Sequence, residues 1–246
     1  MKFKDATVLV TGANRGLGRA LVDASLQAGA RRVYAGARDP RNLAEVAFRS
    51  EGRVVALGLD ITSSDSLAKA AEQASDVTLL INNAGVLASF GLLTSSAEAI
   101  ARDFATNLFG TVAASKAFLP ALERASARGE AALVNVLSVV SLANMPALGG
   151  YSASKAAASS ITQALRGDLA KLKIAVHGVF AGAIDTDMVK DMDMAKTSPA
   201  EVARGILEGV ERGEEDIFPD AMSRHLSAIW REDPKRLERQ LASMSG

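Results

Sequence analysis

Tyr151 and Lys155 stand four apart in Tyr-Ser-Ala-Ser-Lys, and Ser138 precedes them just after an apolar run. A spacing of four puts the phenol and the ammonium on one face of a helix. An ammonium beside a phenol favours the phenolate and lowers its pKa from the usual value of about 10. Reaching about 7 needs on the order of 4 kcal/mol of differential stabilisation, which a lysine and an oxidised nicotinamide ring can supply together. A tyrosine tuned in this way trades a proton with a carbonyl or an alcohol at neutral pH. The second signature is Thr11-Gly12-Ala13-Asn14-Arg15-Gly16-Leu17-Gly18. Its glycines permit a tight turn, close approach of backbone to phosphate, and close packing of a helix on a sheet. The helix that opens there offers free amides and a positive dipole end to a pyrophosphate. The two signatures together imply nicotinamide-dependent oxidoreduction.

Such groups need a frame of strands and helices, and the chain carries its pattern. Apolar runs at 7–10, 33–36, 54–59, 77–81, 132–137 and 174–179 read as strands, with a short last one at 216–218. Helical patterns follow at 16–28, around 41–49, after Ile61, at 97–128 with a break near 107–110, at 151–169 and at 199–212. Thr62 or Ser63 can cap the helix after Ile61. Continuous apolar strands alternating with helices imply a parallel sheet covered on both faces. Right-handed crossovers and a glycine turn after the first strand make this α/β chain a doubly wound, mostly parallel Rossmann sheet of about seven strands. No linker, repeat or low-complexity segment divides it, so residues 1–246 read as one domain.

Composition removes several function classes. The 246 residues are 48% hydrophobic with a formal net charge of zero, and no dense Lys/Arg block marks a nucleic-acid surface. The absence of cysteine excludes disulfides and thiolate–metal sites. His177 and His225 lie far apart without a companion at ligand spacing, so no metal site is expected; strand-end packing and a surface helix account for them. No apolar run is long enough for a bilayer, and Met1–Asp5 shows no signal region. The expectation is a cytoplasmic protein that binds neither membrane nor nucleic acid.

The order Gly-x-x-x-Gly-x-Gly, Asp60, Asn82-Asn83-Ala84-Gly85, Asn107-Leu108-Phe109-Gly110, Ser138, Tyr151, Lys155 resembles the short-chain dehydrogenase/reductase family from the first strand to about Met188. The resemblance implies a tetrad of Asn107, Ser138, Tyr151 and Lys155. Tyr151 would pass a proton to the carbonyl oxygen, Ser138 would bond the same oxygen, and Lys155 would tune the phenol and hold the nicotinamide ribose. Asn107 would hold a water linking Lys155 to solvent. Asn14, Leu17 and the glycines would lie along the cofactor. Asp60 and Ile61 would hold adenine, Asn83, Ala84 and Gly85 would lie along the ribose, and Gly182, Ile184 and Thr186 would meet the carboxamide end. The family's acid at the end of the second strand, which binds a ribose 2′-hydroxyl, is replaced here by Ala37 with Arg38 after it. With Arg15 in the glycine loop, two guanidiniums could clasp a 2′-phosphate, so the expected cofactor is NADP(H).

The same resemblance implies a homodimer or homotetramer acting on a small-molecule carbonyl or alcohol. The family's proline after the sixth strand is replaced by Ala181, which leaves the loop less rigid. Met188, Val189, Met192 and Met194, with Phe90, Leu92, Leu142, Met145 and Leu148, either cover the substrate as a lid over 184–198 or fill core. As a lid they favour an apolar or aromatic ketone or aldehyde. A redox sensor without turnover, an epimerase or dehydratase, and a reductase of acyl-carrier-bound 3-oxo substrates are the competing readings. The segment around Trp230 is either a subunit contact or a surface helix.

Overall fold

The structure is a computed structural model describing residues 1–129 and 131–244. Among the described residues, seven parallel strands form one sheet in the order β3-β2-β1-β4-β5-β6-β7. They are β1 Thr7–Thr11, β2 Arg32–Ala37, β3 Val54–Gly58, β4 Leu79–Asn82, β5 Ala131–Val136, β6 Ile174–Val179 and β7 Asp216–Ile217. The helices are α1 Gly16–Gln27, α2 Ala44–Arg49, α3 Ser64–Gln73, α4 Ala97–Phe104, α5 Thr111–Ser126, α6 Gly149–Ala170, α7 Pro199–Arg212, α8 Ala221–Glu232 and α9 Pro234–Ser243.

Alternation along the strands sends side chains to two cores. Val8, Val10, Leu79, Ile81 and Val134 face the layer that holds Leu21, Ile206 and Val210 of α1 and α7. Leu9, Leu80 and Leu133 face Leu67, Phe118 and Leu122 of α3 and α5. Both faces are covered, which is why the strands read as continuous apolar runs. Strand order reverses between β1 and β4, and that switch point opens the crevice in which an α/β sheet binds its ligand.

Two local features differ from the sequence pattern. The break expected near 107–110 is a π-helical turn, Ala105–Gly110, that joins α4 to α5 without interrupting the helical path. One extra residue in the turn carries Asn107 inward, to 1% exposure. The chain after β7 folds as two helices whose apolar residues Leu226, Ile229, Leu237 and Leu241 pack on Val139, Val140, Met145 and Leu148. The helix that carries Trp230 packs its inner face over the region after β5 and leaves Trp230 on its exposed side. As expected, Ser63 caps α3, accepting from Ser66 N. His177 is buried at 3% exposure on β6 and His225 is exposed on α8. Among the described residues no helix is long and apolar enough to cross a membrane.

Candidate active site

A cavity of about 810 Å³ runs over the carboxyl ends of the central strands. At one end lies the β1–α1 loop. Gly12 adopts φ +67° and Gly16 φ +54°, a region that side chains disfavour. A Cβ on Gly12 would sit 2.9 Å from Ala84 Cα, and one on Gly18 would overlap the Gly12 carbonyl oxygen. Asn83 Nδ2 staples the two strand ends, donating to Thr11 O at 2.9 Å and Gly12 O at 3.2 Å. Thr11 Oγ1 accepts from the amides of Asn83 and Ala84. No side chain caps α1, so its first amides remain open as an anion cradle. Gly18→Ala is expected to cost about 1–3 kcal/mol, read as a lower thermal unfolding midpoint, because the added methyl must push α1 off β1.

Charged groups line this end of the cavity. Arg38 is exposed just after β2. Asp39 beside it is engaged by Arg41, whose Nε and Nη2 donate to its two oxygens at 2.9 and 2.8 Å. Asp60 Oδ1 accepts from the Thr62 hydroxyl and amide, and these bonds hold its carboxyl below the usual range, with Arg38 assisting. Arg15, expected beside Arg38, instead pairs with Asp187 across the groove at 3.0 Å. Both partners are largely exposed, so the pair is worth little and exchanges readily.

At the other end, Ser138 follows β5 and faces the same cavity as the Tyr151 phenol. Lys155 Nζ donates to Val136 O at 2.8 Å and lies 5.9 Å from the centroid of the Tyr151 ring. The lowering expected from a lysine and an oxidised nicotinamide ring together is not supplied by the protein's own groups, which act the other way. Burial pushes Tyr151 up to about 12, opposed by Ser138 and reinforced by the field of Asp103. Burial likewise pulls Lys155 down to about 8, against the pull of Asp103. Desolvation is the largest cause of both shifts, and the Lys155 ammonium, at 5% exposure, is held by the Val136 carbonyl. At neutral pH Tyr151 is protonated, the form that donates to a carbonyl oxygen.

Asn107 lies behind the cavity wall. Its Oδ1 accepts from Val86 N at 2.8 Å, and its Nδ2 donates to Val86 O at 2.9 Å and Ser154 Oγ at 3.0 Å. The side chain is thereby committed to the strand-like segment after Gly85. Its own backbone carbonyl accepts from Thr111 Oγ1 at 3.0 Å.

The family model for short chain dehydrogenases matches residues 6–197. The chain belongs to the short-chain dehydrogenase family. Among relatives of this oxidoreductase, an uncharacterized oxidoreductase of Staphylococcus aureus is 31% identical over 212 residues, covering 82% of this chain and 90% of its own. A short chain dehydrogenase from Burkholderia cenocepacia, solved in complex with NADP, is 36% identical with a TM-score of 0.91, covering 98% of this chain and 99% of its own. A short-chain dehydrogenase from Sphingobium yanoikuyae, in complex with NADPH, is 29% identical with a TM-score of 0.80, covering 94% and 93%.

In this short-chain dehydrogenase every residue expected at the site except Asn107 lines the one cavity: the β1–α1 loop, Arg38, Asp60, Ile61, residues 83–85, Ser138, Tyr151, Lys155, Gly182, Ile184 and Thr186. The loop after β6 is stiffer than its missing proline suggests. Gly182 N donates to Asp220 Oδ2 at 2.9 Å, and Asp220, fully buried, also caps α8. The segment after it is pinned at its base, where Asp185 N donates to Thr197 O and Thr197 N to Ala183 O, both at 2.9 Å. Between those bonds Met188, Val189, Met192 and Met194 face the cavity.

The substrate wall differs from expectation in its other members. Met145 and Leu148 line the cavity, but Leu142 does not, and Phe90 and Leu92 are exposed outside it. In their place stand Leu87 and Val140, with Met222, Leu226, Leu241 and Met244 at the C-terminal end of the chain. Six of the seven methionines border this space. The α8 and α9 residues carried one signal in the sequence, apolar positions at helical spacing, and nothing to say which wall they face. Asp103, Ser89 and Asp220 carried none, being polar residues whose burial only the fold creates.

Proposed function

We propose that the chain is an NADP(H)-dependent carbonyl reductase for apolar or aromatic ketones and aldehydes, equivalently an alcohol dehydrogenase in reverse. The observation that carries this reading is the continuity of one cavity from the glycine cradle, past Ser138, Tyr151 and Lys155, to a wall of methionine and leucine. The cradle fits a dinucleotide, because the positions nearest a pyrophosphate lack side chains and present uncapped amides. When bound, NADPH supplies a hydride to the carbonyl carbon. Tyr151, protonated at neutral pH, gives its proton to the carbonyl oxygen. Ser138 orients that oxygen and stabilises the charge it gains. Lys155, with a pKa near 8, reprotonates the phenol and can hold the ribose. Met192, Met194 and Met222 offer an adaptable apolar wall and no cation for a carboxylate.

NADP(H) is favoured over NAD(H) by Arg38, by Ala37 in place of an acid, and by Arg41, which occupies the Asp39 carboxylate. Arg15 joins Arg38 by exchanging Asp187 for the phosphate. Two relatives more than 25% identical were solved with NADP or NADPH, in line with this. Arg38→Asp is expected to weaken NADPH binding by roughly 10- to 100-fold, the worth of a charge-assisted hydrogen bond, with NADH affinity held. Titrations of cofactor fluorescence check this, and an unchanged preference defeats it. The activity itself is tested by following NADPH oxidation across aryl ketones, aldehydes, β-keto esters, diketones and acyl thioesters. Turnover confined to the apolar ketones and aldehydes supports the reading; turnover confined to acyl thioesters moves it to a carrier-bound substrate. Tight NADPH binding with no turnover on any of them leaves a sensor.

A further inference from the structure

Among the described residues, the one fully buried carboxylate beside the proton-transfer groups belongs to Asp103, on α4, one turn before Asn107. Its oxygens take three hydrogen bonds from the segment that leaves β4: Ala88 N donates to Oδ1 at 2.8 Å, Ser89 N to Oδ2 at 3.2 Å, and Ser89 Oγ to Oδ2. Ser89, also fully buried, is pressed on the start of α6, where a Cβ at Gly150 would collide with its Oγ. Leu92, three residues on, sits over Gly149, 2.8 Å from where that residue's Cβ would be. Gly149 and Gly150 are the two residues immediately before Tyr151. One carboxylate therefore ties α4, the 88–92 segment and the first turn of the helix that carries Tyr151 and Lys155.

We propose that Asp103 is a positioning residue of this proton-transfer site, setting Tyr151 through Ser89 and Gly150 and supplying the buried counter-charge of Lys155. The field of Asp103 acts on both groups, raising Tyr151 and Lys155 alike. The other charges around the cavity stand elsewhere. Arg15 and Asp187 pair at its rim, Arg38, Asp39 and Asp60 belong to the nucleotide end, and Arg102 is exposed on α4. From β5 and the turn after it comes Ser138, and the lid faces the cavity with methionines. A buried ammonium without a counter-charge sheds its proton more easily, so removing the Asp103 charge must lower the pH at which Lys155 titrates.

This rests on the reductase reading, and two measurements keep the two separable. The first compares kcat and the KM for NADPH in wild type and Asp103→Asn over a pH series with an apolar ketone. The second follows the Lys155 Cε resonance in protein labelled with 13C-lysine, assigned by its loss in Lys155→Met, and needs no turnover. In Asp103→Asn we expect kcat to fall about 10-fold or more with the KM for NADPH unchanged. The alkaline limb of reduction and the Lys155 midpoint should both move to lower pH. A folded Asp103→Asn with wild-type kcat and an unmoved midpoint overturns the proposal. If wild type reduces no carbonyl, the reductase reading falls and the Lys155 midpoint alone decides the role of Asp103. If Asp103→Asn does not fold, Ser89→Ala carries the test. It keeps the charge and removes one bond, so kcat should fall several-fold with the Lys155 midpoint unmoved; a wild-type kcat there overturns the proposal.

Discussion

Tyr151→Phe is expected to lower carbonyl reduction by about 10²- to 10⁴-fold, the span that a positioned general acid contributes. Affinity for NADPH should stay within a few-fold, because the phenol lies with Ser138 at the end of the cavity away from the glycine cradle. The fold should survive, since phenylalanine preserves the ring under Lys155 and removes only the hydroxyl. The measurement is steady-state NADPH oxidation paired with a fluorescence binding titration. Full turnover in the variant would take the proton donor away from Tyr151, and joint loss of turnover and binding would point to a disturbed cavity instead. The raised pKa sharpens this expectation. A phenol near 12 is a donor throughout the neutral range, so the alkaline limb of reduction should follow Lys155, near 8, and not Tyr151.

Lys155→Met should make the protein more stable at neutral pH while lowering its turnover. In the folded chain the lysine titrates near 8 against 10.5 for the free group, so at pH 7 the fold carries an ammonium that it holds less well than water does. That difference corresponds to about 3 kcal/mol, reduced to about 1–3 kcal/mol once the bond to Val136 O is lost. The direction with pH follows from the protons bound. Between pH 8 and 10.5 the unfolded chain holds the lysine proton and the folded chain has released it, so wild-type stability rises with pH across that window. The advantage of Lys155→Met is thus full below pH 8, shrinks through the window and is gone above it. Thermal unfolding at pH 7 and pH 10 tests this, with a midpoint roughly 2–10 °C above wild type at pH 7. A lower midpoint at pH 7 would mean that the lysine holds the fold together, and a pH-independent difference would mean that its charge is not the cause. The combination of a more stable chain and a slower one is what a strained, functional lysine produces.

Much of this was legible in the chain because it depends on local rules. Glycine at 12, 16 and 18 announces a turn that no side chain can occupy, and Gly12 takes a left-handed conformation with Ala84 packed on it. Apolar runs bounded by helical patterns specify a parallel sheet, since only burial on both faces makes a strand apolar throughout. The spacing from Tyr151 to Lys155 fixes their shared face, for helix geometry does not depend on what surrounds it. What the tertiary structure alone decided are quantities summed over neighbours distant in sequence. The pKa of Tyr151 went up because desolvation comes from every element packed around it, whereas the spacing revealed only the one charge that would lower it. Asp103 and Asp220 became buried anchors because their partners lie 14 and 38 residues away. The far wall of the cavity came from α8 and α9, whose apolar faces are visible in the sequence but whose docking against Val140 and Met145 depends on shape complementarity, which no local pattern encodes.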